Sequence, residues 1–270
     1  MPELPEVETT RRGIAPLITG RRVLRVVVRN PKLRWRVPAR LARELPGQTV
    51  TDVTRRAKYL LLATSTDTVI IHLGMSGSLR VVPTSLAPEL HEHVDIVFDN
   101  GYCLRLRDPR RFGAVLWTDK PSEHALLAGI GPEPLSAAFN AAYLFRVSRG
   151  RRRAIRDLLL DGHVVAGIGN IYANEALFDA RLRPKRPAGR LNQDECGQLV
   201  RTIRATLTRA LRAGGTTLRD FQNASGKPGY FQLKLKAYGR DGQPCPRCRI
   251  TIRHIRLGQR SAFFCPNCQL

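Results

Sequence analysis

Four of the six cysteines lie in the last 26 residues, as Cys245-Pro246-Arg247-Cys248 and Cys265-Pro266-Asn267-Cys268. No other feature limits the fold as sharply, because two C-x-x-C units can aim four thiolates at one ion. The 16 residues between them suffice for a hairpin that brings the pairs together. This spacing reads as a tetrathiolate zinc site, with two disulfides or a redox dithiol as the competing readings. A redox pair needs only one C-x-x-C, and disulfides need an oxidising compartment. A tail this short has too small a core to fold unaided, so one structural Zn2+ per chain is expected. Cys103 and Cys196 stand apart, in a strand-like and a helix-like apolar stretch.

The chain has 270 residues, which favours two domains over one. Lys and Arg number 45 against 22 Asp and Glu, a formal charge of +23, and 38 of the cations are Arg. That excess points to a polyanionic partner, and Arg suits bidentate phosphate contacts. It fits a nucleic-acid enzyme, a ribosomal protein or an anionic-membrane protein equally well. No run approaches the roughly 18 apolar residues of a membrane span. Glu3, Glu6 and Glu8 replace the basic start of a secretory signal, so a cytoplasmic protein is expected, with no membrane partner.

Apolar spacing predicts an opening helix over Leu4–Leu17, with Pro5 in an early position and Pro16 and Gly20 at its exit. Eight short strands should follow: Val23–Val28, Thr49–Thr54, Tyr59–Ala63, Val69–Leu73, Ser78–Val82, Val94–Phe98, Tyr102–Leu106 and Ala114–Trp117. Asn100-Gly101 signals a hairpin between two of them. This succession favours a β-sandwich or barrel-like domain. Beyond Gly129-Ile130-Gly131-Pro132 the pattern turns helical. Arg151–Leu160 should form one helix, and Asn170 should cap another running to Phe178. A longer helix should run from a capping box at Asn192 and Glu195 to about Arg212.

Several residues invite chemistry. If Met1 is trimmed, Pro2 presents a secondary amine with a pKa of roughly 7.7–8.0, so far more of it is neutral near pH 7 than of a lysine amine at roughly 10.4. Such an amine can attack an electrophilic carbon, and Glu3 beside it could pass a proton to a sugar oxygen. Glu6, one turn on, could orient the pair; the alternative for all three is an ordinary helix start. Lys58, at the head of an apolar strand, could aim at a phosphate or be a plain edge cation. His72 is as readily a core histidine as a ligand. Met75, at the tip of Gly74-Met75-Ser76-Gly77, could wedge into a base stack, as could Phe112 beside Arg110 and Arg111. Asn170 behind Gly167 and Gly169 offers a phosphate seat at a helix start. Arg253, Arg256 and Arg260 make the cysteine-bounded hairpin basic. Neither a G-x-x-x-x-G-K-[ST] loop nor an H-E-x-x-H helix is present, and no nucleotide or redox cofactor is expected.

Pro2-Glu3-Leu4-Pro5-Glu6, Arg55-Arg56-Ala57-Lys58-Tyr59, His72-Leu73-Gly74-Met75-Ser76-Gly77 and Asp108-Pro109-Arg110-Arg111-Phe112-Gly113 follow in order along the chain. Gly169-Asn170-Ile171-Tyr172, Gly226-Lys227-Pro228-Gly229-Tyr230 and the four cysteines come after them. Together they resemble the bacterial formamidopyrimidine-DNA glycosylase family, more than its pyrimidine-directed relative endonuclease VIII. The resemblance implies an α+β multidomain fold. An N-terminal β-sandwich with its opening helix (1–130) would lead through a hinge (131–150) to a helix–two-turn–helix domain. That domain (151–240) would carry a lesion-closing loop near 216–238, and a β-hairpin zinc finger (241–270) would end the chain. It further implies a monomeric glycosylase and abasic-site lyase of base excision repair, associated with the nucleoid. The substrate would be duplex DNA carrying oxidised purines or abasic sites. Pro2, Glu3, Lys58 and Arg260 would be catalytic, supported by Glu6 and Arg152. His72, Met75, Arg110, Arg111, Phe112, Arg152, Asn170 and Arg260 would contact DNA, and Cys245, Cys248, Cys265 and Cys268 would hold zinc. The family often has a lysine in the first turn of the 151–160 helix, where Arg152 stands here. A noncatalytic nucleic-acid binder would explain the charge and the finger but leaves Pro2-Glu3 without a purpose.

Overall fold

The structure is a computed structural model that describes residues 1–214 and 235–270. The chain forms two compact units. The first holds Met1–Ala128, and the second holds Gly129–Arg212 with the described residues from 235 onward. Among the described residues, no helix is long and apolar enough to cross a membrane.

The first unit opens with α1 (Leu4–Ile18), whose apolar residues Val7, Ile14 and Ile18 share one buried face. The helix runs through Pro16 instead of ending there. Pro16 gives up one amide, yet the Thr19 N–H still bonds the Ala15 carbonyl at 3.0 Å. Eight strands follow: β1 (Val23–Val28), β2 (Asp52–Arg56), β3 (Tyr59–Ala63), β4 (Thr68–His72), β5 (Ser78–Pro83), β6 (Glu92–Phe98), β7 (Tyr102–Arg107) and β8 (Ala114–Thr118). The second of them starts three residues later than its apolar pattern suggests; Thr49 makes only an isolated bridge to Arg22. A short helix, α2 (Ala39–Glu44), lies between β1 and β2.

These strands make two antiparallel sheets, ordered β1-β6-β7-β5 and β2-β3-β4-β8. Their inner faces and α1 enclose one core, including Leu60, Leu62, Val69, Ile71, Ile96, Phe98, Leu104 and Val115. Each such side chain contributes roughly 1.5–3 kcal/mol by leaving water. Alternation fails on β6, which is buried on both faces. Its outward Asp95 pairs with Arg29 at 2.7 Å and Arg105 at 2.9 Å, while Glu92 takes Arg80 at 2.8 Å.

In the second unit, α3 (Ala141–Ser148) occupies part of the stretch that the sequence suggests as a hinge. It is capped by Asn140, and Leu144 joins a core with Phe139. Next come α4 (Ile155–Leu159), α5 (Asn170–Asp179) and α6 (Gln193–Arg212). The Asn192–Glu195 capping box of α6 forms, with both bonds at 2.9 Å. Helix α4 is shorter than its apolar pattern. Ala154 bridges Pro187, and Ala188 N–H bonds the Arg153 carbonyl, so 151–154 pairs with 187–189 instead of coiling. A two-stranded hairpin, β9 (Arg253–Leu257) and β10 (Arg260–Phe264), closes the chain.

Candidate active site and metal centre

Pro2 and Glu3 are buried at the mouth of α1. Glu3 is the N-cap, and its N–H donates to Glu6 Oε2 at 2.9 Å in a reciprocal capping box. Glu6 is fully buried, so it fixes the Glu3 backbone and with it Pro2, one residue away. Glu8, on the same helix, binds Arg11 at 2.8 Å, Arg12 at 2.9 Å and Arg55 at 3.4 Å. Burial raises the Glu8 pKa, but these guanidiniums outweigh it and hold the carboxyl below its ordinary value. Arg55 in turn donates to the Ala57 carbonyl at 2.7 Å. Ala57 has a left-handed backbone, φ 51°, in the turn that delivers half-buried Lys58. A chain of contacts therefore runs from the helix of Pro2 to the turn of Lys58.

Tyr59, next to Lys58, pairs across the sheet with His72, and their rings lie 4.9 Å apart. Burial, then the nearby charges of Lys58 and Arg34, hold the His72 imidazole down at about 4. Its Nδ1 accepts the Gly74 N–H at 3.1 Å, which leaves the proton of the neutral ring on Nε2. His72 can thus give a phosphate a hydrogen bond but no charge. An unfolded histidine titrates near 6.5, so as pH falls the unfolded chain takes its proton first. Stability from this group is present above about 6.5 and is lost down to about 4. Between pH 7 and pH 5 the expected loss is about 2 kcal/mol. Urea melts of His72→Gln should show that part of the acid slope gone; parallel slopes for wild type and variant would refute it.

Met75 and Phe112 project from their turns, 40% and 42% exposed. The Arg110 guanidinium lies over the Phe112 ring, 4.8 Å from its centroid, and Arg110 and Arg111 are exposed. Phe112 does not pack inward.

In the second unit, Asn170 is not the cap of α5; Gly169 is, and Asn170 is the first helical residue. Its amide donates to the Ser261 carbonyl at 3.0 Å, and its Oδ1 accepts from Arg156 at 3.3 Å. Asn174, one turn on, accepts the Phe263 N–H at 2.7 Å. Helix α5 therefore grips β10, at whose start Arg260 stands exposed. Arg152 is exposed in the stretch that pairs with 187–189 and does not join this cluster. The arginine that does is Arg156, which is fully buried and donates to the Leu257 carbonyl at 2.9 Å. Burial lowers its pKa. The sequence places Arg156 with Arg152 in one basic run and gives no sign of which points inward.

Glu175 and Asp179 are further residues that sequence reasoning misses. The Glu175 carboxylate accepts the successive N–H groups of Lys236, Ala237 and Tyr238, each at 2.9 Å, a concave amide seat for an anion. Asp179 binds Lys236 at 2.8 Å, Arg247 at 3.0 Å and Arg209 at 3.2 Å. These contacts anchor the end of the expected lesion-closing loop. The rest of that loop, with Gly226–Tyr230, lies outside the described residues.

The four sulfurs of Cys245, Cys248, Cys265 and Cys268 lie within 4.8 Å of one another. Cys245 and Cys268 Sγ are 3.9 Å apart, and Cys248 and Cys265 Sγ 3.5 Å. Zinc–sulfur bonds of ~2.3 Å in a tetrahedron set sulfur–sulfur edges of about 3.8 Å, so the donor set fits Zn2+. Around it pack only Phe178, Ala237, Ile252 and the cysteines themselves among the described residues, with Phe263 at the edge.

The sequence matches three family models in order. They are the formamidopyrimidine-DNA glycosylase N-terminal domain over residues 1–115, the formamidopyrimidine-DNA glycosylase H2TH domain over 130–222, and a zinc finger found in FPG and IleRS over 242–270. The chain belongs to the formamidopyrimidine-DNA glycosylase family. A family member from Thioalkalivibrio sulfidiphilus is 56% identical over 270 residues, covering all of both chains. The crystal structure of the MutM (Fpg) protein from Thermus thermophilus superposes with a TM-score of 0.89 at 40% identity, over 99% of this chain and 98% of that one. A Lactococcus lactis FPG mutant, solved with a Fapy-dG containing DNA, gives 0.92 at 32% identity over 99% of both chains. The family's three modules are the sandwich with its helix, the helical unit and the cysteine-bounded hairpin.

Proposed function

We propose that the protein excises oxidised purines from duplex DNA and then cleaves the strand at the abasic site it creates. Its substrates are 8-oxoguanine opposite cytosine and ring-opened formamidopyrimidines. The observation that carries this reading is the end-to-end family match of a chain whose Pro2 and Glu3 sit buried at a capped helix start. The Lactococcus lactis relative held on Fapy-dG DNA supports the substrate class.

With Met1 removed, the Pro2 nitrogen attacks C1′ of the lesion nucleotide as the bond to the base breaks. Glu3 passes a proton to the sugar oxygen, the ring opens, and an iminium links Pro2 to C1′. That electron sink makes the C2′ proton acidic. Loss of the 3′ phosphate and then the 5′ phosphate leaves a one-nucleotide gap with phosphate at both ends. Water then hydrolyses the iminium, releasing the unsaturated sugar remnant as an aldehyde and restoring the Pro2 amine. Glu6 keeps Glu3 in place. Lys58, His72, Asn170 and Arg260 hold phosphates flanking the lesion, and exposed Arg152 and Arg111 suit contacts farther along the backbone. Met75, Arg110 and Phe112 fill the space left by the extruded base and meet the orphaned cytosine. Zinc, when bound, supplies no chemistry to the reaction; its four cysteines shape the hairpin that carries Arg260. The enzyme acts as a cytoplasmic monomer.

Single-turnover excision on matched duplexes containing 8-oxoguanine or thymine glycol tests the substrate class. The oxidised purine is expected to react faster by at least about tenfold. A preference for thymine glycol would move the protein to the pyrimidine-directed branch.

A further inference from the structure

Met75 and Phe112 stand on turns 37 residues apart in sequence, yet the two turns share one packed backbone. A Cβ on Gly74 would lie 2.5 Å from both the Gly113 nitrogen and the Phe112 carbonyl carbon, and Gly74 has φ +63°. A Cβ on Gly113 would meet the His72 carbonyl oxygen at 2.7 Å and Asp108 Oδ2 at 2.9 Å. At Gly74 main chain therefore rests on main chain, with no side chain between to yield, and at Gly113 the Asp108 carboxylate fills the rest of the contact.

Asp108 sits at the junction, with no exposed surface. Its N–H donates to the His91 carbonyl at 2.9 Å, and its carbonyl accepts from Arg111 N–H at 3.1 Å and His93 Nε2 at 2.9 Å. Its Oδ2 accepts the Gly113 N–H at 2.7 Å. The other carboxyl oxygen, Oδ1, is buried without a hydrogen-bond partner among the described residues. A half-satisfied buried carboxyl destabilises a fold, so its presence calls for a purpose beyond stability.

We propose that Asp108 is a positioning residue that locks the Met75 and Phe112 turns into a single rigid wedge. The proposal rests on the reading that these two side chains fill the void of an extruded base. Asp108 touches no DNA in this scheme; it acts through the Gly113 amide. A wedge fixed before contact loses no loop freedom on insertion, so both side chains enter the duplex in one step. Two independent turns would have to be ordered separately, and each alone would hold the gap less well.

The test compares two substrates. A duplex with 8-oxoguanine opposite cytosine requires the wedge. A single-stranded oligonucleotide with a preformed abasic site needs only the Pro2 chemistry. Asp108→Ala is expected to slow duplex excision by about tenfold or more while changing single-strand cleavage by less than about twofold. Asp108→Asn keeps an acceptor for Gly113 and should recover most of the rate. Gly74→Ala, which forces the turns apart without replacing Asp108, should likewise slow duplex excision by more than it slows single-strand cleavage. In a double-mutant cycle, Met75→Ala and Phe112→Ala should be strongly coupled in the wild-type background and nearly additive with Asp108→Ala. Unchanged duplex excision by Asp108→Ala, or equal losses on both substrates in both Asp108→Ala and Gly74→Ala, would overturn the proposal. A wild-type protein that cleaves the abasic strand but ignores the lesion duplex would instead remove the excision reading beneath it.

Discussion

Borohydride added during reaction with an 8-oxoguanine duplex is expected to leave the Met1-free protein covalently joined to DNA through Pro2. Reduction converts the transient iminium to a stable amine, so the adduct records the nucleophile directly. Protein that keeps Met1 should give none, because its residue-2 nitrogen is an amide. Pro2→Gly replaces the secondary amine with a primary one and should trap weakly. Glu3→Gln should excise the base about 10²–10⁴-fold more slowly, the usual contribution of a positioned acid or base. The glutamine can still accept the Glu6 backbone N–H of the capping box, so the helix start should survive and melting should barely move. Peptide mapping of the adduct decides the matter. An adduct on Lys58, or none at all with Met1 removed, would defeat the proposed chemistry.

Stripping the metal should have the second large effect. The finger core is a handful of buried residues around the cysteines, far too few to fold without the ion. Structural zinc supplies about 10–16 kcal/mol in isolated finger peptides, more than such a core could replace. Chelation, or Cys265→Ser, is expected to release β9 and β10 to rapid amide exchange while the first unit keeps its protection. Asn170, Asn174 and Arg156 would lose the strand they grip. Exposed Arg253, Arg256 and Arg260 would lose their common scaffold. For every phosphate that these arginines cease to neutralise, the slope of log affinity against log salt should fall by about 0.9. A chelated protein with intact hairpin protection and an unchanged salt slope would show that the metal is dispensable.

Most strands are legible in the sequence because alternation along a half-buried sheet leaves a plain record there, and Asn100-Gly101 marks a hairpin. β6 is legible too, although charge pairs cover its outer face. An early proline at Pro5 and the capping box at Asn192–Glu195 make two helix starts readable, while the Glu3–Glu6 capping box shows only in the structure. The helix at 141–148 escapes notice despite its cap at Asn140, since a glycine- and proline-rich approach masks it. Site residues divide along the same line. The four cysteines show their metal set in local spacing, whereas Pro2 and Glu3 read locally as an ordinary helix start and stand out only through the family resemblance. Glu175 gives no local sign, because its partners are 61 to 63 residues downstream. The inward arginine at 156 is also hidden, because a bridge between 154 and 187 decides which member of the run is buried.

The pairing of β1 with β6 sets a clock during synthesis. Strand β1 begins at Val23 and finds its neighbour only in Glu92–Phe98. Ribosomes add roughly 5–20 residues per second, so several seconds pass between the emergence of the first strand and that of its partner. Throughout that interval α1 has no completed core to dock on, and the amino end of the nascent chain stays open to an aminopeptidase. Once β6 and the strands after it have arrived, Val7, Ile14 and Ile18 can be sealed among the strands and Pro2 buried. The order in which the sandwich is translated thus leaves the residues before α1 accessible until the later strands are made.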